Sequence, residues 1–106
     1  MIAHDLMTCL SVPYRLSAES VELGDGRWGH RLSYPELPNC TAEGDVLEDV
    51  LAALECRRME TILALLEQGV SPPSPRPPLA TCDPLWLARD IGAQARLLEA
   101  LETADR

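Results

Sequence analysis

The sequence predicts a single α+β domain in which an antiparallel sheet of three to four strands carries a long helix on one face. Three observations support this fold class: a change from helical to alternating periodicity near Pro13, a Gly-Asp-Gly turn at 24–26, and a long apolar stripe after Gly44. A chain of 106 residues is long enough for one hydrophobic core. We therefore expect residues 1–106 to form one domain, with extra helices at its N- and C-terminal ends.

The first element is a short helix over residues 2–10, where Leu6, Cys9 and Leu10 share one helical face. Pro13 ends it, because the residue before a proline is pushed out of the α region. Alternation of polar and apolar residues then predicts a first strand. The apolar positions change parity near Glu19, which indicates a β-bulge at residues 19–20.

A hairpin follows, because 24–26 supplies residues that tolerate positive φ between two strand-like runs. The second strand is expected over 27–34. Its even positions are predicted to share one packed face: Trp28, His30, Leu32 and Tyr34.

The stretch YPELPNCTAEGD at 34–45 must bend the chain. Pro35 and Pro38 cannot donate to a sheet ladder and so end the second strand. Asn39 tolerates the left-handed region better than most other residues. A short third strand over 40–43 then fits before the next helix.

The longest helix is predicted over 46–68, with Asp45 as N-cap and Glu48 completing an acidic capping box. Gly69 marks its end, because glycine is favoured just after a helix. Its predicted core stripe comprises Leu47, Val50, Leu51, Leu54, Ile62 and Leu65.

Residues 71–78, SPPSPRPP, predict a stiff spacer of polyproline type, followed by a possible fourth strand at 79–82. A last helix is expected over 83–103, with Asp83 as its cap and Pro84 at the first helical position. Its apolar row contains Leu87, Ile91, Leu98 and Leu101, with Gln94 in the same row. Such a row fits packing against the chain's own sheet or against a second subunit.

Charge is the most informative bulk property, because nine Arg, no Lys and 17 acidic residues give a net charge of −8. This balance disfavours nucleic-acid binding and favours a basic protein partner. The four Cys and two His lack metal-site spacing, so we expect neither a metal nor a cofactor. Without an apolar run long enough to span a bilayer or a signal-like start, we expect a soluble, cytoplasmic protein.

The order of these motifs resembles the HicB family of antitoxins. That family shares a hairpin Gly and Trp, then P-(D/E)-L-P-G-C, G-D-T-x-E-E-A and G-x-x-x-P-x-P. The resemblance covers residues 12–78. The matching residues are Gly26, Trp28, Pro35, Glu36, Leu37, Pro38, Cys40, Gly44, Asp45, Glu48, Gly69, Pro73 and Pro75. Asn39 replaces the usual Gly. Val46 replaces the usual Thr, which we expect to transfer the capping role to Asp45.

The resemblance implies a partial RNase H fold of β-β-β-α-β order. It also implies a non-enzymatic antitoxin that binds a small, basic, mRNA-cleaving toxin of the HicA type. DNA binding is not expected, since no C-terminal DNA-binding module is evident after residue 82. The size of the chain favours a homodimer or higher homo-oligomer. The alternative is a stand-alone homo-oligomeric binding or regulatory module without a toxin.

No catalytic residue is predicted. The carboxylates on or beside the predicted sheet are considered as metal ligands of a nuclease, but their spacing does not require a metal. We interpret them as solvent-exposed side chains: Glu19, Glu22, Asp25, Glu36 and Glu43. Cys40 reads as a small buried side chain. Arg58 falls within the apolar stripe, where it either pairs with Glu55 or marks an interface. The candidate interface residues are Trp28, Arg58, Trp86, Ile91, Gln94 and Leu98.

Overall fold

The computed structural model describes residues 2–104 and confirms the predicted α+β class, with a three-stranded sheet, a long helix and extra terminal helices. The elements are α1 (Ile2–Leu10), β1 (Ser17–Gly24), β2 (Arg27–Ser33), β3 (Thr41–Gly44), α2 (Leu47–Glu67), α3 (Pro84–Asp90) and α4 (Ala95–Ala104).

The sheet has the order β1-β2-β3, and both pairings are antiparallel. The predicted hairpin turn is confirmed, since Gly24, Asp25 and Gly26 have φ of 102°, 52° and 75°. The irregularity in β1 lies between Glu22 and Gly24, so the predicted bulge at 19–20 is wrong. The extra residue is placed next to the turn, where the strand leaves regular pairing.

The second bend is also as predicted, because Asn39 takes a left-handed φ of 52°. Asn is among the few non-glycine residues that adopt this conformation at low cost. The bend returns the chain so that the Tyr34 N–H donates to the Cys40 carbonyl at 3.0 Å. This bond continues the β2–β3 ladder beyond the last pair, Ser33 with Thr41.

The possible fourth strand at 79–82 does not form, and the sheet of the described residues has three strands. The preceding residues 71–78, here called the proline strap, lie along the connection between α1 and β1 instead. The Tyr14 hydroxyl donates to the Pro73 carbonyl, and Arg76 donates to the Pro13 carbonyl at 3.2 Å. The Leu79 N–H donates to the Ser11 carbonyl at 2.7 Å. These bonds replace the strand pairing predicted from the sequence.

Helix α2 packs on two layers. It contacts β2 and β3, and it also contacts α1 and α4. The predicted stripe is confirmed at Val50, Leu54 and Ile62, which are all buried. Met59 and Leu63 are equally buried although they lie outside that stripe. They belong to the same core as the buried leucines of α1 and α4, because those helices pack on α2.

The boundaries of α2 agree with the sequence at one end only. Gly69 has φ of 76° and forms a Schellman motif, in which Val70 N–H donates to the Leu65 carbonyl at 2.9 Å. At the other end Val46 is the N-cap and supplies no side-chain hydrogen bond. The predicted Asp45 cap is wrong, because its carboxylate faces Arg27.

The single C-terminal helix predicted over 83–103 is two helices, α3 and α4. Gly92, with φ of 70°, ends α3 in a second Schellman motif, since Ala93 N–H donates to the Ala88 carbonyl at 2.9 Å. The predicted start is confirmed, because Asp83 accepts from the Trp86 N–H at 3.1 Å. Helix α4 packs mainly on α1, α2 and α3, and not on the sheet, which was one of the two alternatives for its apolar row.

Candidate functional site

A buried ion pair within α2 is hydrogen-bonded to α1 and to the residue after β2. The Arg58 guanidinium donates to the Glu55 carboxylate at 2.9 Å and to the Leu10 carbonyl at 3.1 Å. The Tyr34 hydroxyl donates to the same carboxylate, and burial together with this bond raises the pKa of Tyr34. The predicted Arg58–Glu55 pairing is confirmed. With 6% exposure, Arg58 lies inside the chain and not on its surface.

An exposed apolar surface lies where the β1–β2 hairpin meets the start of α2. We call the exposed apolar residues of these two segments the distal patch: Trp28, Val46, Leu47 and Leu51. Trp28 is 66% exposed and lies two residues beyond the last β2–β3 pair, His30 with Gly44. An ion pair of 3.6 Å between Arg27 and Asp45 shows that the hairpin and the loop before α2 are adjacent.

The exposure of Trp28 corrects the packed face predicted for β2. Leu32 is 3% exposed beneath α2, and His30 is half-buried. Trp28 lies on the same face, but β2 extends there past the end of β3. The helical stripe predicted for α2 is wrong at Leu47 and Leu51 for the same reason, and they are 47% and 42% exposed.

Five carboxylates lie on the same two segments as the distal patch. They are Glu22, Asp25, Asp45, Glu48 and Asp49, and all five residues are exposed. Six arginines among residues 2–104 form ion pairs, but only Arg27 pairs with a member of this group. The first turn of α2 is a favourable place for Glu48 and Asp49, because the helix dipole is positive there. We call these five carboxylates the acidic rim of the distal patch.

The other predicted interface residues lie elsewhere. Trp86 is 62% exposed on α3. Ile91 and Leu98 are half-buried against the core, and Gln94 is exposed at the start of α4. Gln94 lines an open cleft of about 610 Å³ together with residues of α2 and the β2–β3 loop. The six predicted residues therefore do not form one surface, because Trp28 lies on the hairpin and Arg58 is internal.

The open face of the sheet carries an ion network across all three strands. Arg31 in β2 donates to Glu19 in β1 at 2.9 Å and to Glu43 in β3. Both acids were weighed from the sequence as nuclease ligands, and here they bind a guanidinium. The part of the chain that the structure describes contains no group of three His, Cys, Asp or Glu side chains that could hold a metal.

The four cysteines are free thiols, and Cys40 is 2% exposed, which confirms a small buried side chain at that position. Burial raises the pKa of Cys9, Cys40 and Cys56. These three therefore remain in the thiol form at neutral pH, which disfavours nucleophilic chemistry.

Sequence reasoning identified Trp28 but missed Val46, Leu47 and Leu51. A signal was present, since apolar positions occupy more of the α2 circumference than a narrow sheet can cover.

None of the helices described is long and apolar enough to cross a membrane. Comparison with family models, with curated proteins and with solved structures gave no match for this chain.

Proposed function

We propose that the chain is a HicB-like antitoxin that neutralises a small, basic, mRNA-cleaving toxin by direct protein–protein binding, without catalysis of its own. The observation that carries this proposal is the distal patch with its acidic rim. Exposed aromatic and aliphatic side chains surrounded by charges are the anatomy of a protein-binding surface. The ordered motif of residues 26–75 supports the choice of family.

The charge of the patch selects the class of partner. A toxin that cleaves mRNA needs a cationic surface to hold the phosphate backbone. A rim of five carboxylates with one arginine among them attracts such a surface and speeds encounter. Once the surfaces meet, the apolar centre excludes water and covers the toxin where RNA would bind.

The proposal predicts that the neighbouring reading frame encodes a small basic protein, and co-expression with that protein is the test. We expect the two proteins to co-purify, and we expect mRNA cleavage by the basic protein to stop at a fixed molar ratio. Failure to bind, or continued cleavage at saturating concentrations, would show that the chain is not an antitoxin for that protein.

Two tryptophans provide a matched pair of variants, since Trp28 and Trp86 are 66% and 62% exposed. We expect Trp28→Ala to weaken toxin binding by about 30-fold or more, as a central aromatic anchor does. Trp86→Ala should leave binding within about threefold. Loss of binding for Trp86→Ala alone would move the interface to α3. Isothermal titration calorimetry with the purified toxin measures both.

A stand-alone homo-oligomeric module is the second candidate, and the free outer edge of β1 favours it. An unpaired strand edge is a common route to self-association. Sedimentation velocity separates the two candidates. A stable homo-oligomer that is unchanged by the basic protein supports the second one.

A further inference from the structure

The outer edge of β1 is the strongest unassigned feature of the fold. β1 is eight residues long, and among residues 2–104 it pairs only with β2. Ser17, Ala18, Glu19 and Ser20 are all exposed, and β1 contains no proline or lysine to block pairing. Folded proteins normally cover or interrupt an edge of this length. In residues 2–104 the segment 79–82 does not supply a fourth strand, because Leu79 bonds to Ser11 and the preceding strap bonds to the α1–β1 connection.

The hydrogen-bond register identifies which groups of β1 are free. Tyr34 N–H donates to the Cys40 carbonyl, so alternate residues of β2 counted back from Tyr34 bond to β3. The intervening residues of β2 bond to β1, and their partners there are Ser17, Glu19 and Val21. The backbone groups of the other positions in β1 therefore point outward. These positions are Ala18, Ser20 and Glu22.

Helix α2 leaves an open space above β1, next to its outer edge, which we call the step. Val50 lies over β3, because a Cβ placed on Gly44 would meet its side chain at 2.9 Å. The row of Leu47, Leu51 and Glu55 is turned away from β3, and Glu55 accepts from Tyr34 at the end of β2. This row therefore faces the β1 side of the sheet, where Ala18 and Ser20 are small and exposed. The step is apolar on the helix and open above the strand.

Charge decides which chain fits the edge. Glu22 in β1 and Asp25 in the hairpin are exposed carboxylates, whereas Glu19 is already bound by Arg31. A second copy of the chain would bring a net charge of −8 against another −8. An extended segment with cationic side chains meets the opposite situation. Its outward-facing cations pair with the carboxylates, while its apolar side chains enter the step beside Leu47 and Leu51.

We propose that the outer edge of β1 takes up an extended basic segment of the toxin as a fourth antiparallel or parallel strand of the sheet. This inference rests on the proposed antitoxin function and specifies its binding mode. The toxin strand extends the sheet at β1, and the distal patch contacts the adjoining surface of the same toxin. The partner thus completes the strand that the chain's own residues 79–82 do not form.

Amide hydrogen exchange followed by NMR tests this binding mode on the full chain, with the purified small basic protein of the neighbouring reading frame as the probe. With the probe at 100 times its Kd, exchange at Ala18, Ser20 and Glu22 should slow about 100-fold. Ser17, Glu19 and Val21 already bond to β2, and their exchange should change much less. This alternation is expected of an added strand and not of a partner docked on a face.

Ser20→Pro provides the matching variant, because it removes an outward N–H and leaves the β1–β2 ladder intact. We expect it to weaken toxin binding about tenfold or more. Ser20→Ala keeps the N–H and should bind within about threefold. If Ser20→Pro does not fold, the exchange pattern of the unmodified chain still decides.

The outcomes separate this inference from the proposed function. A complex that blocks mRNA cleavage without the alternating protection overturns strand addition and leaves the antitoxin function standing. Alternating protection in the free chain that increases with its concentration identifies a second copy as the occupant and overturns the inference. Absence of any complex refutes the proposed function, and strand addition by the toxin with it.

Discussion

Replacement of Arg58 by methionine is expected to cause a large loss of stability. The Arg58 and Glu55 side chains are 7% and 14% exposed, so water screens their attraction weakly. Arg58 donates through Nε and Nη2 to Glu55 at 3.2 and 2.9 Å and through Nη1 to the Leu10 carbonyl at 3.1 Å. Arg58→Met leaves a buried carboxylate without its cation and a buried carbonyl without this donor.

Breaking one side of a buried ion pair costs about 3–5 kcal/mol. The free energy of unfolding of a small domain is about 5–15 kcal/mol, so this loss is a large share of it. Urea unfolding measures the change directly. In a domain of this size, each kcal/mol of lost stability lowers Tm by about 4–8 °C. A loss of about 3 kcal/mol or more should therefore lower Tm by at least about 12 °C.

Two controls define the result. Arg96→Met removes an ion pair with Glu67 whose side chains are 53% and 43% exposed, and it should cost less than about 1 kcal/mol. The double variant Glu55→Gln with Arg58→Met removes both charges and should be more stable than Arg58→Met alone. A cost below about 1 kcal/mol for Arg58→Met would refute the reasoning, because the pair would then behave like a surface pair.

Three further predictions concern other parts of the fold. Val46→Thr should raise the free energy of unfolding, measured in urea, by about 1 kcal/mol. Val46 is an N-cap with extended backbone and supplies no capping oxygen. No gain would mean that the backbone N–H groups of the first turn already have other acceptors. Gly29→Ala should destabilise by about 1–3 kcal/mol, since its Cβ would lie 2.5 Å from the Gly44 carbonyl oxygen and against Leu23; an unchanged urea midpoint would contradict this packing. The hydrogen bond from Arg76 lowers the pKa of the Glu36 carboxyl below its ordinary 4.5. The Arg76–Glu36 interaction therefore stabilises the fold above pH 4.5, and this stabilisation is lost as the pH falls through the lowered pKa of Glu36 in the folded protein. NMR shifts of the proline strap should report that loss, and Glu36→Gln should abolish the pH dependence.

Local signals in the sequence predicted local structure well. The turn at 24–26, the left-handed Asn39 and the Schellman glycine after α2 depend on neighbouring residues alone, and the structure confirms each. Asp83 was identified as a cap for the same reason. Such features are set by backbone sterics and by short-range hydrogen bonds, which a single sequence displays directly.

Features that depend on distant residues were not predictable in this way. Asp45 fits a cap by pattern, but its carboxylate faces Arg27 across the hairpin. Gly92 interrupts an apolar row that still reads as one helix, because a lone glycine costs a helix only about 1 kcal/mol. The second buried face of α2 at Met59 and Leu63 requires α1 and α4 to be in place.

The candidate site divides in the same manner. Trp28 could be named as a candidate because tryptophan is enriched at interfaces. Its exposure, like that of Leu47 and Leu51, was not predicted, because it depends on the length of β3 and the position of α2. The exposed edge of β1 could not be predicted, because residues 79–82 have the composition of a strand and still form none.

The proline strap has a consequence for the mechanics of the molecule. Its backbone forms no ladder, yet Tyr14 and Arg76 fasten it at two points, and Glu36 holds Arg76 from the opposite side. Side-chain hydrogen bonds therefore anchor this irregular backbone to the α1–β1 connection. Because α3 and α4 come next in the chain, the strap also fixes the point from which the chain enters these two helices. Proteases that attack loose proline-rich segments should find it a poor substrate until those clamps open.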